Sequence, residues 1–144
     1  MRAGPSVIFF LDSSCIVRAP LQDGQPLAMW GAWERAYASD IARIEARRGL
    51  YRARSDRRFG ENALSNSLLL LEEIEGRLDW CLLTPDVIEM ACERSQYGLG
   101  TLNAIQLASA RSIRRLGEPE LVFATHDRQL ASSAKTFGFS VDGT

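Results

Sequence analysis

Two apolar runs, each leading to a carboxylate, are the features that most constrain the fold of this 144-residue chain. The first run spans residues 7–11 and ends at Asp12, and the second begins at Leu121 and ends at Thr125, two residues before Asp127. Runs of this length, rich in β-branched and aromatic residues, are typical of strands buried in a parallel sheet. In open parallel sheets ligands bind at the carboxyl ends of the strands, so we expect the two acids to converge there.

Between these two runs, predicted helices alternate with further predicted strands. This order predicts an α/β protein: a single domain over residues 1–144, with a mostly parallel central sheet and helices on both faces. Further strands are predicted over 33–38 and 80–84, with an edge strand over 140–142, and a loop is predicted over 22–26. Three helices are predicted in the first half of the chain: over 13–18 ended by Pro20, from an N-cap at Ser39 to about Arg52, and from Ser55 or Asp56 to about Gly76. Three more follow: one opened by Pro85, one from a Thr101 cap to Leu116, and one from Asp127 to about Phe137.

Composition places the chain among ordinary globular proteins, with 46% hydrophobic residues, 24% charged residues and a net charge of -1. The apolar stretch near the N-terminus is interrupted by Asp12, and we interpret it as too short and too polar for a signal peptide or a membrane span. The three cysteines, Cys15, Cys81 and Cys92, form no Cys-x-x-Cys pair, and we expect them to be buried thiols of a reducing compartment. A cytoplasmic protein without a membrane partner is predicted.

The four polar residues that could form a site can also be explained by the structure of the chain alone. Asp12 and Asp127 fit helix N-caps, metal ligands, or both, because a capping carboxylate keeps a free oxygen. Two close carboxylates repel each other unless a cation or a proton lies between them, which favours a hard divalent metal. Glu45 can be interpreted equally well as a site residue and as a solvent-exposed ion-pair partner of neighbouring arginines. Asn103, taken alone, fits a capping or surface amide.

Four segments, taken together and in order, resemble the motifs of PIN-domain nucleases. An acid is followed two residues later by Ser14, and Ser39 is followed six residues later by Glu45. The segment 102–108 is similar to a Leu-Asp-Ala-x-x-Leu-Ala motif, and 125–130 is similar to a Thr-x-Asp-x-x-Leu motif. The resemblance runs from about residue 7 to residue 141, and it is closest to the VapC-type toxins of bacterial toxin–antitoxin pairs, whose size the chain matches.

The resemblance implies an endoribonuclease that uses Mg²⁺ or Mn²⁺ to hydrolyse RNA phosphodiesters. Asp12, Asn103 and Asp127 would bind metal directly or through water, and Glu45 would hold or orient a second ion or the attacking water. The implied partners are the RNA substrate, a cognate antitoxin protein and a second copy of the chain. Two hydroxyl side chains are expected to fix the aspartates by hydrogen bonds: Ser14 and Thr125.

The chain departs from the family pattern at Asn103, where the family usually has an aspartate. An amide oxygen can still ligate Mg²⁺, but it brings no charge and cannot act as a base. We therefore expect weakened metal binding and a reduced rate. A second reading is a PIN-fold module that has lost catalysis and binds RNA or an antitoxin.

Other features leave further alternatives open. A phosphoacceptor signalling domain of similar size is disfavoured, because the predicted strand at 80–84 ends without an acid. His126, the single histidine, fits a bystander better than an acid–base catalyst. Seven arginines between 43 and 58 fit RNA phosphates, an acidic partner or a solvated helix face: Arg43, Arg47, Arg48, Arg52, Arg54, Arg57 and Arg58. The consecutive leucines 68–71 cover more than one helix face, so we expect some of them to lie at an interface.

Overall fold

A computed structural model describes residues 7–21, 30–55, 60–96 and 98–144 of the chain. The predicted loop over 22–26, the alternative helix start at Asp56, and the arginines at 57 and 58 lie outside these residues, as does the side chain of Arg54. No helix in the described part is long and apolar enough to cross a membrane.

The centre of the fold is a five-stranded sheet in which every described pair of neighbouring strands is parallel. The strand order is β3-β2-β1-β4-β5, so β1 lies in the middle and the chain crosses from one side of it to the other between β3 and β4. The strands are β1 (Ile8–Leu11), β2 (Arg35–Ser39), β3 (Asp79–Cys81), β4 (Val122–Ala124) and β5 (Ser140–Asp142).

Helices cover both faces of the sheet, as the alternating pattern predicted. They are α1 (Ser13–Leu21), α2 (Asp40–Ser55), α3 (Glu61–Glu75), α4 (Pro85–Ala91), α5 (Thr101–Leu116) and α6 (Arg128–Thr136), with a short 3-10 helix at Arg94–Gln96.

Successive residues of β1 face opposite layers because side chains alternate along a strand. Phe9 and Leu11 pack with α1, α2 and α3, whereas Phe10 packs with Phe123 and with α5 and α6 on the other face. Helix α4 packs against α5, with Val87 and Met90 against Ala108. The α/β class with a parallel sheet between two helical layers is therefore confirmed.

Several predicted boundaries were wrong. Helix α1 does not end before Pro20 but continues to Leu21, and the buried proline's carbonyl accepts a hydrogen bond from Ser67 Oγ of α3 (3.2 Å). Proline lacks an N–H donor and its ring crowds the carbonyl four residues earlier, but here only Leu21 follows it in the helix. Strand β3 stops at Cys81, because Thr84 instead caps α4 by accepting a bond from the Val87 amide (3.2 Å).

Other starts and ends moved by a few residues. Helix α2 runs to Ser55 rather than Arg52, and α3 begins at Glu61, directly after Gly60. Gly100 occupies the N-cap position of α5, so Thr101 is its first helical residue and not its cap.

The expectation that all three cysteines are buried was correct only in part. Cys15 is buried, Cys81 is half-buried and Cys92 is exposed. Cys92 follows the last residue of α4, where the helix ends and its thiol is no longer covered by the core. Burial raises the pKa of the Cys15 thiol far above its usual range, which makes that thiol chemically inert.

Candidate functional site

The two central strands, β1 and β4, carry the two acids at the point where the strand order reverses. Asp12 follows the last residue of β1, and its amide donates to the carbonyl of Ala124, the last residue of β4 (3.0 Å). Asp127 lies three residues beyond Ala124. This is the switch point at which open α/β sheets bind their ligands.

The carboxylate of Asp12 is buried and is held by hydroxyl groups from both strand ends. Its Oδ2 atom accepts bonds from Ser14 Oγ and from Thr125 Oγ1, both at 2.8 Å, and Ser13 Oγ lies 3.4 Å from Oδ1. Burial raises the pKa of Asp12, and the bonds from Ser14 and Thr125 oppose that rise. The backbone amides of Ser13 and Ser14 also donate to this carboxylate and likewise oppose the rise.

The same two hydroxyls tie the loop after β1 to the loop after β4. Ser14 Oγ accepts a bond from the backbone N–H of His126 (3.0 Å), and Thr125 Oγ1 accepts one from the backbone N–H of Asp127 (3.0 Å). Both hydroxyls donate to Asp12: Ser14 accepts in turn from the loop after β4, whereas Thr125 accepts from Asp127 in its own loop. The relative position of the two aspartates is fixed by these bridges.

Asp127 is a helix cap, and it also contacts α5. Its Oδ1 atom accepts from the Leu130 amide (2.9 Å) at the start of α6, and its Oδ2 atom accepts from Asn103 Nδ2 (3.1 Å). Asn103 lies in the first turn of α5. The amide therefore does what an aspartate at 103 could not do, because a carboxylate has no proton to donate to Asp127.

Glu45 lies on α2 and reaches the site from the other helical layer. Its Oε1 atom accepts a bond from Gln106 Nε2 of α5 (2.8 Å). Burial raises the pKa of Glu45, the nearby charge of Asp12 adds to the rise, and hydrogen bonds from Gln106 and Ser13 oppose it. Glu45 is thus close enough to Asp12 for the Asp12 charge to raise its pKa.

The four predicted site residues consequently lie along one series of contacts. The series runs from Asp12 through Thr125 to Asp127 and Asn103, along one turn of α5 to Gln106, and back through Glu45 to Ser13, the neighbour of Asp12. The structure brings together Asp12, Glu45, Asn103 and Asp127, with Ser14 and Thr125 bonded to Asp12.

The donor set suits a hard cation, since every free ligand atom is a carboxylate or amide oxygen. Within the described ranges, however, no three side chains among His, Cys, Asp and Glu are grouped closely enough to hold a metal ion. Mg²⁺ usually keeps several waters and takes only one or two carboxylates. The residues therefore fit a hydrated cation better than a cage of direct protein ligands.

Two residues near this site were missed by the sequence reading. Gln106 is fully buried, and its Oε1 atom has no partner among the described groups. Asp142 ends β5, its carbonyl accepts from the Thr125 amide (3.0 Å), and its Oδ2 atom is buried without a described partner. Gln106 follows Asn103 by three positions on one helix face, and Asp142 is an acid at a strand end, so both signals were present.

The remaining basic candidates separate into different roles. His126 Nδ1 lies 2.9 Å from the carbonyl oxygen of Gly143, near the C-terminus, which fits the bystander reading. Arg47 forms a two-bond ion pair with Glu75 that joins α2 to α3. Arg43 lies over the ring of Trp80, with 5.3 Å from its guanidinium carbon to the ring centroid.

A cleft of about 260 Å³ opens beside Glu45 between α2 and the start of α5. Its walls combine apolar side chains with two arginines. The lining residues are Ile41, Ile44, Glu45, Arg48, Arg52 and Leu102.

Several solved structures share this fold. PAE2754 from Pyrobaculum aerophilum is 20% identical, with a TM-score of 0.64 over 94% of this chain and 89% of that one. VapBC2 from Rickettsia felis, bound to a DNA fragment from its promoter, is 14% identical (TM-score 0.59; 94% and 97% covered). DNA-bound VapBC from Salmonella typhimurium is 16% identical (TM-score 0.58; 94% and 96% covered).

These likenesses show that the chain has the fold of VapC-type PIN domains, which confirms the fold expected from the four motifs. No protein-family model and no curated protein matches the sequence.

Proposed function

We propose that the protein is a Mg²⁺- or Mn²⁺-dependent endoribonuclease and the toxin of a type II toxin–antitoxin pair. The observation that carries the proposal is the set of hydrogen bonds that links Asp12 through Thr125 to Asp127, Asp127 to Asn103, and Glu45 to Gln106, one turn of α5 after Asn103. The shared fold with VapBC structures supports the toxin class.

In this proposal each acidic residue has a distinct task. Asp12 and Asp127 bind the cation directly or through its water, using the oxygen lone pairs that their hydroxyl, cap and amide bonds leave free. When bound, the cation polarises the phosphate and lowers the pKa of the attacking water. Glu45 orients that water or a second ion. Ser14 and Thr125 hold Asp12 in place.

Because Asn103 stands where the family usually has an aspartate, the site has one negative charge fewer to attract a cation. The site offers three carboxylates, and the bond from Asn103 to Asp127 occupies one lone pair that a metal or its water would otherwise use. We propose an active site with weakened metal affinity.

A catalytically impaired PIN-fold module that binds RNA or an antitoxin is the second candidate. The bond between Asn103 and Asp127 favours it, because the amide satisfies a carboxylate without any metal. The retained Asp12 and Glu45 favour the nuclease.

The partners follow from two surfaces. The cleft beside Glu45, with Arg48 and Arg52, suits RNA phosphate or an acidic antitoxin segment. On α3, Leu71 is buried but Leu69 and Leu70 are 64% and 37% exposed, which supports a homodimer contact. A toxin acting on cellular RNA would work in the cytoplasm.

The test is cleavage of a structured RNA by the purified protein with Mg²⁺, with Mn²⁺ and with EDTA. Asp12→Asn should abolish cleavage, whereas Asp79→Asn, an exposed acid paired with Arg35, should leave it unchanged. Metal-dependent cleavage lost only in Asp12→Asn supports the nuclease.

Manganese titration separates the two candidates when no cleavage is seen. The impaired module should bind Mn²⁺ no better than its Asp12→Ala variant. Cleavage that persists in EDTA contradicts the proposal.

A further inference from the structure

Gln106 is a fully buried polar residue whose one described hydrogen bond reaches the site. It lies on α5 in a stretch of apolar positions, and Leu107, Ala108 and Ala110 beside it are buried. Its Nε2 atom donates to Glu45 Oε1 at 2.8 Å, and its Oε1 atom has no described partner. A buried amide with an unpaired acceptor is a destabilising choice at a position that an apolar side chain would fill.

Two other buried polar residues of the same region show what a purely structural role looks like. Gln96 is satisfied at both ends: its Nε2 donates to the Ala104 carbonyl (2.8 Å), and its Oε1 accepts from Arg111 (2.8 Å). Ser109, one turn after Ile105 on α5, donates to the carbonyl of its own helix (2.8 Å). Gln106 follows neither pattern, because its bond is directed across the molecule to the other helical layer.

From this contrast we propose that Gln106 is a positioning residue that holds the Glu45 carboxylate in the site. The inference rests on the proposed nuclease function. Glu45 is half-buried and projects from α2, and apart from Gln106 only Ser13 donates a hydrogen bond to it among the described residues. Without the amide, the carboxylate would lose its bond to α5 and keep only the one from Ser13, so more rotamers would be open to it.

The chemistry of an amide suits this task. An arginine or lysine would also hold Glu45, but its positive charge would compete with the cation for the carboxylate. A neutral N–H donor fixes one oxygen and leaves the charge and the second oxygen for the cation or the attacking water. The orientation of the amide is set by its partner, since the reverse orientation would place two oxygens together.

The test compares Gln106→Met, which preserves side-chain length and removes the donor, with Ser109→Ala as the control on the same helix. Gln106→Met should melt at or above the wild-type temperature, while its kcat/KM for RNA falls roughly 10- to 100-fold, the usual loss for a residue that orients a metal-site group. The loss should appear mainly in kcat. Ser109→Ala should change cleavage less than about twofold.

A double-variant cycle tests whether the effect of Gln106→Met acts through Glu45 or through a general change in the fold. In the Glu45→Ala background, Gln106→Met should cause no further loss, because its effect acts through Glu45. Mn²⁺ affinity, measured by electron paramagnetic resonance, gives a readout that does not require cleavage and should weaken in Gln106→Met. Gln106→Leu replaces Gln106→Met if the methionine variant does not fold.

The outcomes are distinct. Loss of kcat at an unchanged or higher melting temperature, absent in the Glu45→Ala background, supports the inference. Wild-type protein that cleaves no RNA refutes the nuclease proposal alone, and weaker Mn²⁺ binding in Gln106→Met then still supports the role of Gln106. Cleavage and Mn²⁺ affinity both within about twofold of wild type, or an equal loss in both backgrounds, overturns it.

Discussion

The strand-end half of the site and the helical half are held together by different chemistry. At the strand ends, Asp12 is held by two hydroxyls, one from its own loop and one from the loop after β4, and Asp127 caps α6. In the helical half, Glu45 depends on an amide from a helix in the opposite layer, 61 positions away in the sequence.

The two halves therefore differ in how firmly their acids are held before a ligand binds. Asp12 is only 3% exposed and accepts two short hydroxyl bonds, so its geometry is set before any ligand arrives. Glu45 is half-buried and borders an open cleft, and its carboxylate is held by the Gln106 amide and by Ser13. We expect substitutions at the strand ends to act mainly by weakening metal binding. We expect substitutions in the helical half to act mainly by lowering kcat.

The largest effect is expected for Asp12→Asn. Removing this charge should lower cleavage and Mn²⁺ affinity by more than the roughly 100-fold that orienting residues cost, because a direct ligand is lost. The metal-free variant should melt at a higher temperature than wild type, since a buried carboxylate is replaced by a neutral amide. Titration calorimetry and thermal melts in EDTA measure both effects, and unchanged Mn²⁺ affinity would contradict the assignment.

Thr125→Val should have the next largest effect. The substitution removes a buried donor to Asp12 and leaves the Asp127 amide without its acceptor, so we expect the free energy of unfolding to fall by about 1–3 kcal/mol. Cleavage should fall roughly tenfold. Denaturant unfolding compares it with Thr136→Val, whose exposed hydroxyl bonds only its own helix (3.1 Å). Equal losses in the two variants would remove the special role of Thr125.

Asn103→Asp is a smaller and opposite test. A new carboxylate adds attraction for the cation, so Mn²⁺ affinity should rise several-fold and cleavage should increase. The same substitution removes the bond to Asp127 and places two acids together, so the melting temperature in EDTA should fall. If Mn²⁺ fails to offset that fall, position 103 does not face the cation.

The smallest expected effect is on the pH dependence of stability without metal. Burial raises the folded-state pKa of Asp12, so its favourable contribution is fully present below its unfolded pKa, near 3.8, and is lost as the pH rises through the folded value. Unfolding measured in EDTA from about pH 4 to about pH 8 should show less of this loss in Asp12→Asn than in Glu45→Gln. A steeper pH dependence in Asp12→Asn would mean that Glu45, and not Asp12, contributes more to the loss of stability with rising pH.

What the sequence could predict follows the same division. The strands, the parallel sheet and the strand-end acids were readable because apolar runs and the acids that end them are local patterns. Ser14 and Thr125 were predicted from the family motifs, each two residues from an aspartate, but the bond from Thr125 to the distant Asp12 is a tertiary contact.

The parts that the sequence could not supply depend on tertiary contacts. The pairing of Gln106 with Glu45 arises only where two helical layers meet at the sheet edge. The two-bond pairing of Arg47 with Glu75 likewise could not be read from a cluster of arginines. The end of β3 was misjudged because Leu82 and Leu83 look like strand residues, although they are 63% and 41% exposed.

The most direct test of the central claim, that this cluster binds a divalent cation, is a crystal structure grown with Mn²⁺ and measured at the manganese absorption edge. We expect an anomalous difference peak beside Asp12 Oδ1, within reach of Asp127 directly or through one water, with Glu45 still bonded to Gln106. A structure of the Mn²⁺-saturated protein with no anomalous peak at the ends of β1 and β4, or with a peak only elsewhere on the molecule, would contradict it.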